Sequence, residues 1–138
     1  MWLLFAILAA ITAAVMTIIA KVGLGSIDPT LATAIRSFVM FIFMAGVTFA
    51  FGKFKGIEQL DNKAFWIIVI SAIFGALSWL FYFLALKEAP ASKVAAIDRL
   101  SLIFVIVFSV LFLAEKLSPQ LAVGGVLATI GIILIALG

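Results

Sequence analysis

Apolar and polar positions in this chain segregate over stretches of about twenty residues, not over the two- or four-residue periods of a soluble fold. Five apolar runs, at residues 2–20, 29–51, 64–86, 91–114 and 119–137, are separated by short polar stretches. At ~1.5 Å per helical residue these runs reach about 28–36 Å, enough to cross a ~30 Å hydrocarbon core with modest tilt. The pattern predicts five membrane-spanning helices.

The punctuation between the runs agrees. Lys21, Gly23 and Gly25 follow the first run, and Asp28 precedes Pro29 as a cap for the second. The longest polar stretch, residues 52–63, carries Lys53, Lys55, Glu58, Asp61 and Lys63. Lys87, Glu88 and Pro90 separate the third run from the fourth, and Glu115, Lys116, Ser118 and Pro119 separate the fourth from the fifth. Each proline lies at or just before a helix start, where its missing N–H costs nothing. The first run opens on Met1-Trp2-Leu3-Leu4 with no basic residue ahead of it. It reads as a retained span, despite the Ala-rich stretch at 9–13, since a cleaved signal peptide starts with a basic segment.

Composition narrows the chemistry. The 138 residues are 67% hydrophobic and 11% charged, with a mean hydropathy of +1.44. A soluble domain carries about 25% charged residues, so the chain is expected in a membrane, as a multi-pass protein of the cell's inner or plasma membrane. Cys and His are absent, which excludes disulfides, thiol nucleophiles, Cys/His zinc sites and imidazole acid–base chemistry. No nucleophile–base pair and no metal-ligand set is present, and the loops are too short for an enzyme domain. The expectation is a non-enzyme with no metal and no cofactor. A net charge of +3 spread over short loops is too sparse for a nucleic-acid surface.

An odd number of crossings leaves the termini on opposite sides. One side then holds Lys53, Lys55, Lys63 and Lys116; the other holds Lys21, Lys87 and Lys93, with Arg36 and Arg99 if they snorkel outward. The positive-inside rule needs an excess on one side, and there is almost none. One reading is a cytoplasmic N-terminus with weak bias. The sharper one is dual topology, with copies inserting both ways, because an odd-span unit is complemented by an inverted copy of itself.

Charges within a span are expensive, at ~2.5–3.5 kcal/mol each, and face a cavity or another helix. Arg36 lies seven residues into the second run, and Asp98 with Arg99 at a comparable depth in the fourth; with Lys21 they share one half of the membrane. Helical neighbours point ~100° apart, so Asp98 and Arg99 do not both face one cavity, and one of them is expected to meet Arg36 or a loop. A structural reading has Asp98 pairing with Arg36 or Arg99 and pinning helices together. A functional reading has three cations and one acid forming a pocket for a carboxylate- or phosphate-bearing substrate, with Asp98 the candidate for proton coupling.

In the third run Ser71, Gly75, Ser78 and Tyr82 recur at i, i+4, i+7 and i+11, a straight stripe with Trp79 beside it. The polar atoms suggest a cavity wall; helix packing or an interfacial aromatic belt is the plainer alternative. The first run has Ala6, Ala10, Ala13 and Thr17 at the same spacing, read as a packing face. The fourth places Ser109 on the Asp98 face, with Ser101 nearby. The fifth has Gly124, Ala128 and Gly131 on one face, with Gly125 and Thr129 beside them, and no charge; it reads as a packing or dimer interface. The candidate substrate contacts are therefore Lys21, Arg36, Ser71, Ser78, Trp79, Tyr82, Asp98 and Arg99.

Three stretches carry a family likeness. They are Ala20-Lys21-Val22-Gly23-Leu24, then Leu31-Ala32-Thr33-Ala34-Ile35-Arg36, then a long one. The last contains Ser78-Trp79-Leu80-Phe81-Tyr82-Phe83-Leu84-Ala85-Leu86, Ala89-Pro90-Ala91-Ser92-Lys93-Val94, Ile97-Asp98-Arg99-Leu100-Ser101 and Leu113-Ala114-Glu115-Lys116-Leu117. In this order they resemble the drug/metabolite transporter superfamily, and within it a single EamA-type domain of the five-span bacterial and archaeal branch, over the whole of residues 1–138.

The resemblance implies an all-α integral membrane fold: five transmembrane helices forming one half of an inverted-repeat, ten-helix transporter. In fused relatives, helices one, three and four of each repeat line a central cavity and the last helix packs at the repeat interface. Relatives move amino acids, other small metabolites, nucleotide sugars or phosphorylated sugars, often outward. Many carry Trp-Gly-x-Ser in helix one, where this chain has Ala13, Ala14 and Met16, which implies a less polar, wider wall there. The small multidrug resistance branch, with four spans and a buried glutamate in helix one, matches neither feature.

The functional expectation is a secondary transporter that exports small metabolites, such as amino acids or other small organic anions, by alternating access in an antiparallel homodimer. Its partners would be membrane lipid, a second copy and the small-molecule substrate, with no nucleic acid. The alternative is a non-transporting assembly subunit that pairs with another half-size membrane protein. A passive pore is disfavoured, because no ring of charged or polar residues runs the full depth.

Overall fold

A computed structural model describes the backbone of residues 1–138 and every side chain except that of Gln59. The elements are α1 (Trp2–Leu24), α2 (Pro29–Ala50), a 3-10 helix (Lys53–Gln59), α3 (Asn62–Glu88), α4 (Ala91–Asp98), α5 (Ser101–Phe112) and α6 (Pro119–Leu137). No strand occurs among the described residues. Five segments are long and apolar enough to cross a membrane: α1, α2, α3, α4 together with α5, and α6. The expected all-α, five-span membrane fold therefore stands.

Local chemistry explains the helix starts. Pro29 opens α2, and the Asp28 carboxylate accepts from the backbone N–H of Thr30 (2.8 Å) and Leu31 (3.1 Å). Pro119 opens α6, and Ser118 Oγ accepts from the Leu121 N–H at 3.1 Å. Asp61 accepts from the Ala64 N–H at 2.7 Å at the start of α3. These acceptors meet N–H groups that the first helical turn leaves without a partner. Inside the spans, the hydroxyls of Thr12, Thr17, Thr33, Ser37, Thr48 and Thr129 donate to the carbonyl one turn earlier at 2.8–2.9 Å. That bond keeps a hydroxyl satisfied where no water is available.

The fourth span departs from expectation. It was expected as one helix to residue 114, but Arg99 and Leu100 separate α4 from α5. The N–H groups there reach back three residues: Arg99 to Ala96 (3.0 Å), Leu100 to Ile97 (2.9 Å), Leu102 to Arg99 (3.0 Å) and Ile103 to Leu100 (2.9 Å). The span tightens into a 3-10 turn. Among the described residues, no backbone N–H reaches the Asp98 carbonyl. The span also ends early, because Ala114 sits in the left-handed region at φ 54°. The Glu115 N–H then returns to the Ser109 carbonyl (3.2 Å), which also accepts from Leu113 (3.0 Å).

Two compact units make up the chain, and each is described by itself. The first comprises Met1–Lys21 and Glu88–Gly138. There α6 packs on α4 and α5, and Val94, Ala96 and Ile132 are buried. Gly125 faces α5: a Cβ on it would lie 3.6 Å from the Cδ1 of Ile106 and 3.7 Å from that of Ile103. Gly124 and Gly131 meet nothing within 4 Å, so the Gly124–Gly131 face of α6 is not the one that α5 covers. The stripe of small residues on α1 is buried only at Thr17. Lys21 Nζ donates to the Ala89 carbonyl at 2.9 Å and so ties the end of α1 to the start of α4.

The second unit, Val22–Lys87, holds α2, the 3-10 helix and most of α3. Leu24, Pro29, Thr33, Phe83 and Leu86 are buried. Lys87 Nζ donates to the Ile27 carbonyl at 2.6 Å, joining the end of α3 to the loop that starts α2. No more than 11% of any span is buried within the chain. The remaining apolar surface requires lipid or other protein around it.

Candidate functional site

The best-defined polar arrangement inside a span is built on Arg36. This residue lies seven positions into α2, about 10 Å below its start. Its guanidinium carbon sits 3.7 Å from the centroid of the Trp79 ring and 5.6 Å from that of Phe83. At 3.7 Å the cation is well within the ~6 Å reach of a cation–π contact. Trp79 is itself fixed edge-to-face by Tyr82 (5.7 Å, 76°) and Phe83 (6.3 Å, 70°). Arg36 is half-buried, and Phe83 is buried.

The structure thus gives Arg36 an aromatic partner in its own unit where an acid was one of the expected ones. The ring faces attract the cation, and a guanidinium carries five N–H donors in a fixed planar fork. That fork suits a planar, bidentate acceptor such as a carboxylate or a phosphate.

Ser71, Gly75, Ser78 and Tyr82 occupy one side of α3, next to Trp79, as their spacing predicts. Ser71 and Ser78 are exposed. Unlike the hydroxyls named above, neither makes a hydrogen bond among the described residues. Gly75 meets nothing within 4 Å. Ser71 and Ser78 are thus polar positions on this side of α3 that its own helix leaves unused. One unit therefore brings together Arg36, Trp79 and Tyr82, with Ser71 and Ser78 on the same helix as the two aromatics.

Lys21, Asp98 and Arg99 belong to the other unit. Lys21 is bonded to the Ala89 carbonyl, so it serves at least partly as a structural tether. Asp98 closes α4 and Arg99 begins the 3-10 turn, and both are exposed. Of the two partners considered for Asp98, Arg36 and Arg99, Arg36 belongs to the other unit, and no ion pair with Arg99 occurs among the described residues. Ser109 Oγ donates to the Ile106 carbonyl at 3.1 Å and is spent on its own helix.

Two functional features escaped the sequence. Phe83 completes the aromatic surround of Arg36, and its spacing of four from Trp79 was the available signal. The interruption beside Asp98 carries no Pro or Gly to announce it. No group of three or more acidic, His or Cys side chains that could hold a metal is found among the described residues. The guanidinium offers donor chemistry that a carboxylate or phosphate could meet.

Known proteins give this geometry its setting. A protein of Sinorhizobium sp. named an uncharacterized transporter in the cobO 3′ region is 35% identical over 135 residues, covering 98% of this chain and 96% of that one. An uncharacterized protein of Methanocaldococcus jannaschii is 33% identical over 85 residues, 62% of each chain. No solved structure matches the chain. The EamA-like transporter family matches residues 1–137, and the chain belongs to it.

Proposed function

We propose that this membrane transporter exports small organic anions, amino acids among them, across the inner or plasma membrane, and that it does so as an antiparallel homodimer. The observation that carries the substrate class is the Arg36 guanidinium, lying over Trp79 inside a span and facing no acid of its own unit. A cation in lipid needs a counter-charge or a water-filled space, and a transported anion supplies the first. The odd span count supports the inverted pair. So does a relative of the same single-domain size that is named a transporter. In the pair, each copy contributes one half of a cavity near the midplane, and rocking of the halves exposes it to either side. Asp98, the one acid well inside a span, is the candidate for coupling to a proton.

Thermal stabilisation of the purified protein in liposomes, across a panel of carboxylates, amino acids and phosphate esters, tests this reading. Stabilisation by anions that disappears in Arg36→Gln supports it. Stabilisation by cations, or anion effects that survive Arg36→Gln, overturns it. Loss of association with another half-size protein in Asp98→Asn would favour the assembly-subunit alternative, whereas lost flux with intact assembly favours transport.

A further inference from the structure

The 3-10 helix between α2 and α3 has a periodicity of its own. Side chains three apart eclipse one another in a 3-10 helix. Phe54 and Ile57 fall on one such row, and Leu60, whose N–H reaches back to the Ile57 carbonyl at 3.1 Å, continues it; Phe51 stands at the same sequence interval but ahead of the left-handed turn at Gly52. All four are solvent-exposed, at 73% for Phe51, 44% for Phe54, 63% for Ile57 and 42% for Leu60. Lys53 and Lys55 lie off that row and are exposed too. An apolar row of this kind needs a cover, and the chain does not supply one.

The covalent frame says what lies beneath it. The segment leaves one membrane span at Ala50 and enters the next at Asn62, so it cannot move far from the edge of the hydrocarbon core. Gly52, at φ 63°, makes the turn out of α2 in a conformation that other residues adopt only at a cost. At the far end, Phe65 and Trp66, near the start of α3, are exposed and pack edge-to-face at 5.7 Å. Aromatic residues at that depth are typical of the headgroup boundary. The charge is complementary to an acidic surface. Lys53, Lys55 and Lys63 are exposed, and of the two nearby acids Asp61 is occupied in capping α3.

We infer that residues 51–60 form an interfacial segment that lies on the bilayer surface. Its Phe54, Ile57 and Leu60 row, with Phe51 just ahead of the Gly52 turn, is sunk among the acyl-chain ends, and Lys53, Lys55 and Lys63 rest on anionic phospholipid headgroups. Apolar burial and lysine–headgroup attraction act together in such segments. This inference depends on the membrane spans alone and not on the transport reading, so either can fail without the other.

The absence of cysteine makes single-cysteine probes clean. Phe54→Cys, Ile57→Cys and Lys55→Cys each carry an environment-sensitive fluorophore, with the full chain in vesicles of phosphatidylcholine, with or without phosphatidylglycerol. Brominated lipid should quench the 54 and 57 probes several-fold more than the 55 probe, and aqueous iodide should show the reverse order. Phosphatidylglycerol should deepen that contrast and salt should weaken it; the triple variant Lys53→Gln, Lys55→Gln, Lys63→Gln should abolish both effects. Equal iodide quenching at all three positions would overturn the proposal. So would protection of 54 and 57 from both quenchers, which would mean that another protein surface covers the row. A phosphatidylglycerol effect that survives in the triple variant would overturn the headgroup assignment.

Discussion

The Arg36 guanidinium lies over the Trp79 ring at 3.7 Å, and this contact joins two helices whose contacting residues are far apart in sequence. It holds a charge inside a span with no acid of its own unit paired to it among the described residues. Cation–π attraction is worth about 0.5–2 kcal/mol, more as water is excluded, and that is less than a buried ion pair can supply locally. The arrangement therefore positions the cation while leaving its donors available.

From this follows a test of shape against charge. Arg36→Lys keeps the charge but loses the planar fork and the stacking surface. We expect it to abolish anion-induced stabilisation nearly as fully as Arg36→Gln does. Trp79→Phe should retain part of the effect and Trp79→Leu none. In apo protein each substitution should lower stability by about 1–2 kcal/mol or less, measured as a thermal midpoint in detergent.

Asp98 is exposed and makes no ion pair within its unit, so removing its charge should not dismantle that unit. Asp98→Asn is expected to leave self-association and melting unchanged while cutting flux by about tenfold or more, equivalent to ~1.4 kcal/mol. Counterflow in proteoliposomes beside a cross-linking assay separates the two readouts. Lost assembly with normal flux would reverse the assignment.

Ala114 adopts a left-handed conformation at φ 54° where helices normally place glycine. Ala114→Gly relieves a strain of about 1–2 kcal/mol and adds unfolded-chain entropy of about 0.5–1 kcal/mol. The expected result is a small net gain in thermal midpoint. Gly52→Ala, at φ 63°, should lower the midpoint by a similar route.

The two glycine faces of α6 should behave differently. Gly125→Leu drives a side chain into Ile103 and Ile106 and should destabilise its unit by about 1–3 kcal/mol. Gly124→Leu and Gly131→Leu meet open space and should leave the monomer intact while weakening self-association, as read by chemical cross-linking in membranes.

Asp28 gives the acid limb of the stability profile. The Leu31 N–H is the main influence holding its carboxyl below the ordinary aspartate range, helped by Thr30 and, more weakly, by Lys87 and opposed by partial desolvation. A carboxyl lowered on folding contributes stability that is present above the unfolded pKa, about 3.9. That contribution fades as pH falls through the lower folded value. Thermal midpoints should therefore drop below about pH 4, and Asp28→Asn should flatten that part of the curve.

The spans were readable because lipid imposes a length and an apolar composition on each crossing, and the prolines at residues 29 and 119 mark helix starts directly. The stripe from Ser71 to Tyr82 was readable for a different reason, since its alignment follows from helical spacing alone. The turn at Arg99 and Leu100 was not. Leu100 is a strong helix former, and the tightening there depends on hydrogen bonds that no residue type announces. The aromatic contact of Arg36 was also hidden, because charge patterning points to an acid and says nothing of a ring on another helix. The 3-10 row at 54 and 57 sits in a stretch that polarity alone marks as a loop.

The central claim is that copies of this chain function as an inverted pair. Cysteines placed at Trp2 and, in a separate variant, at Leu137, on a background with no native cysteine, can be reacted in intact cells with a membrane-impermeant maleimide. The account predicts that each terminus is labelled in a substantial fraction of copies and protected in the rest, with the Leu137 pattern the complement of the Trp2 pattern. A single fixed side for each terminus in every copy would contradict it.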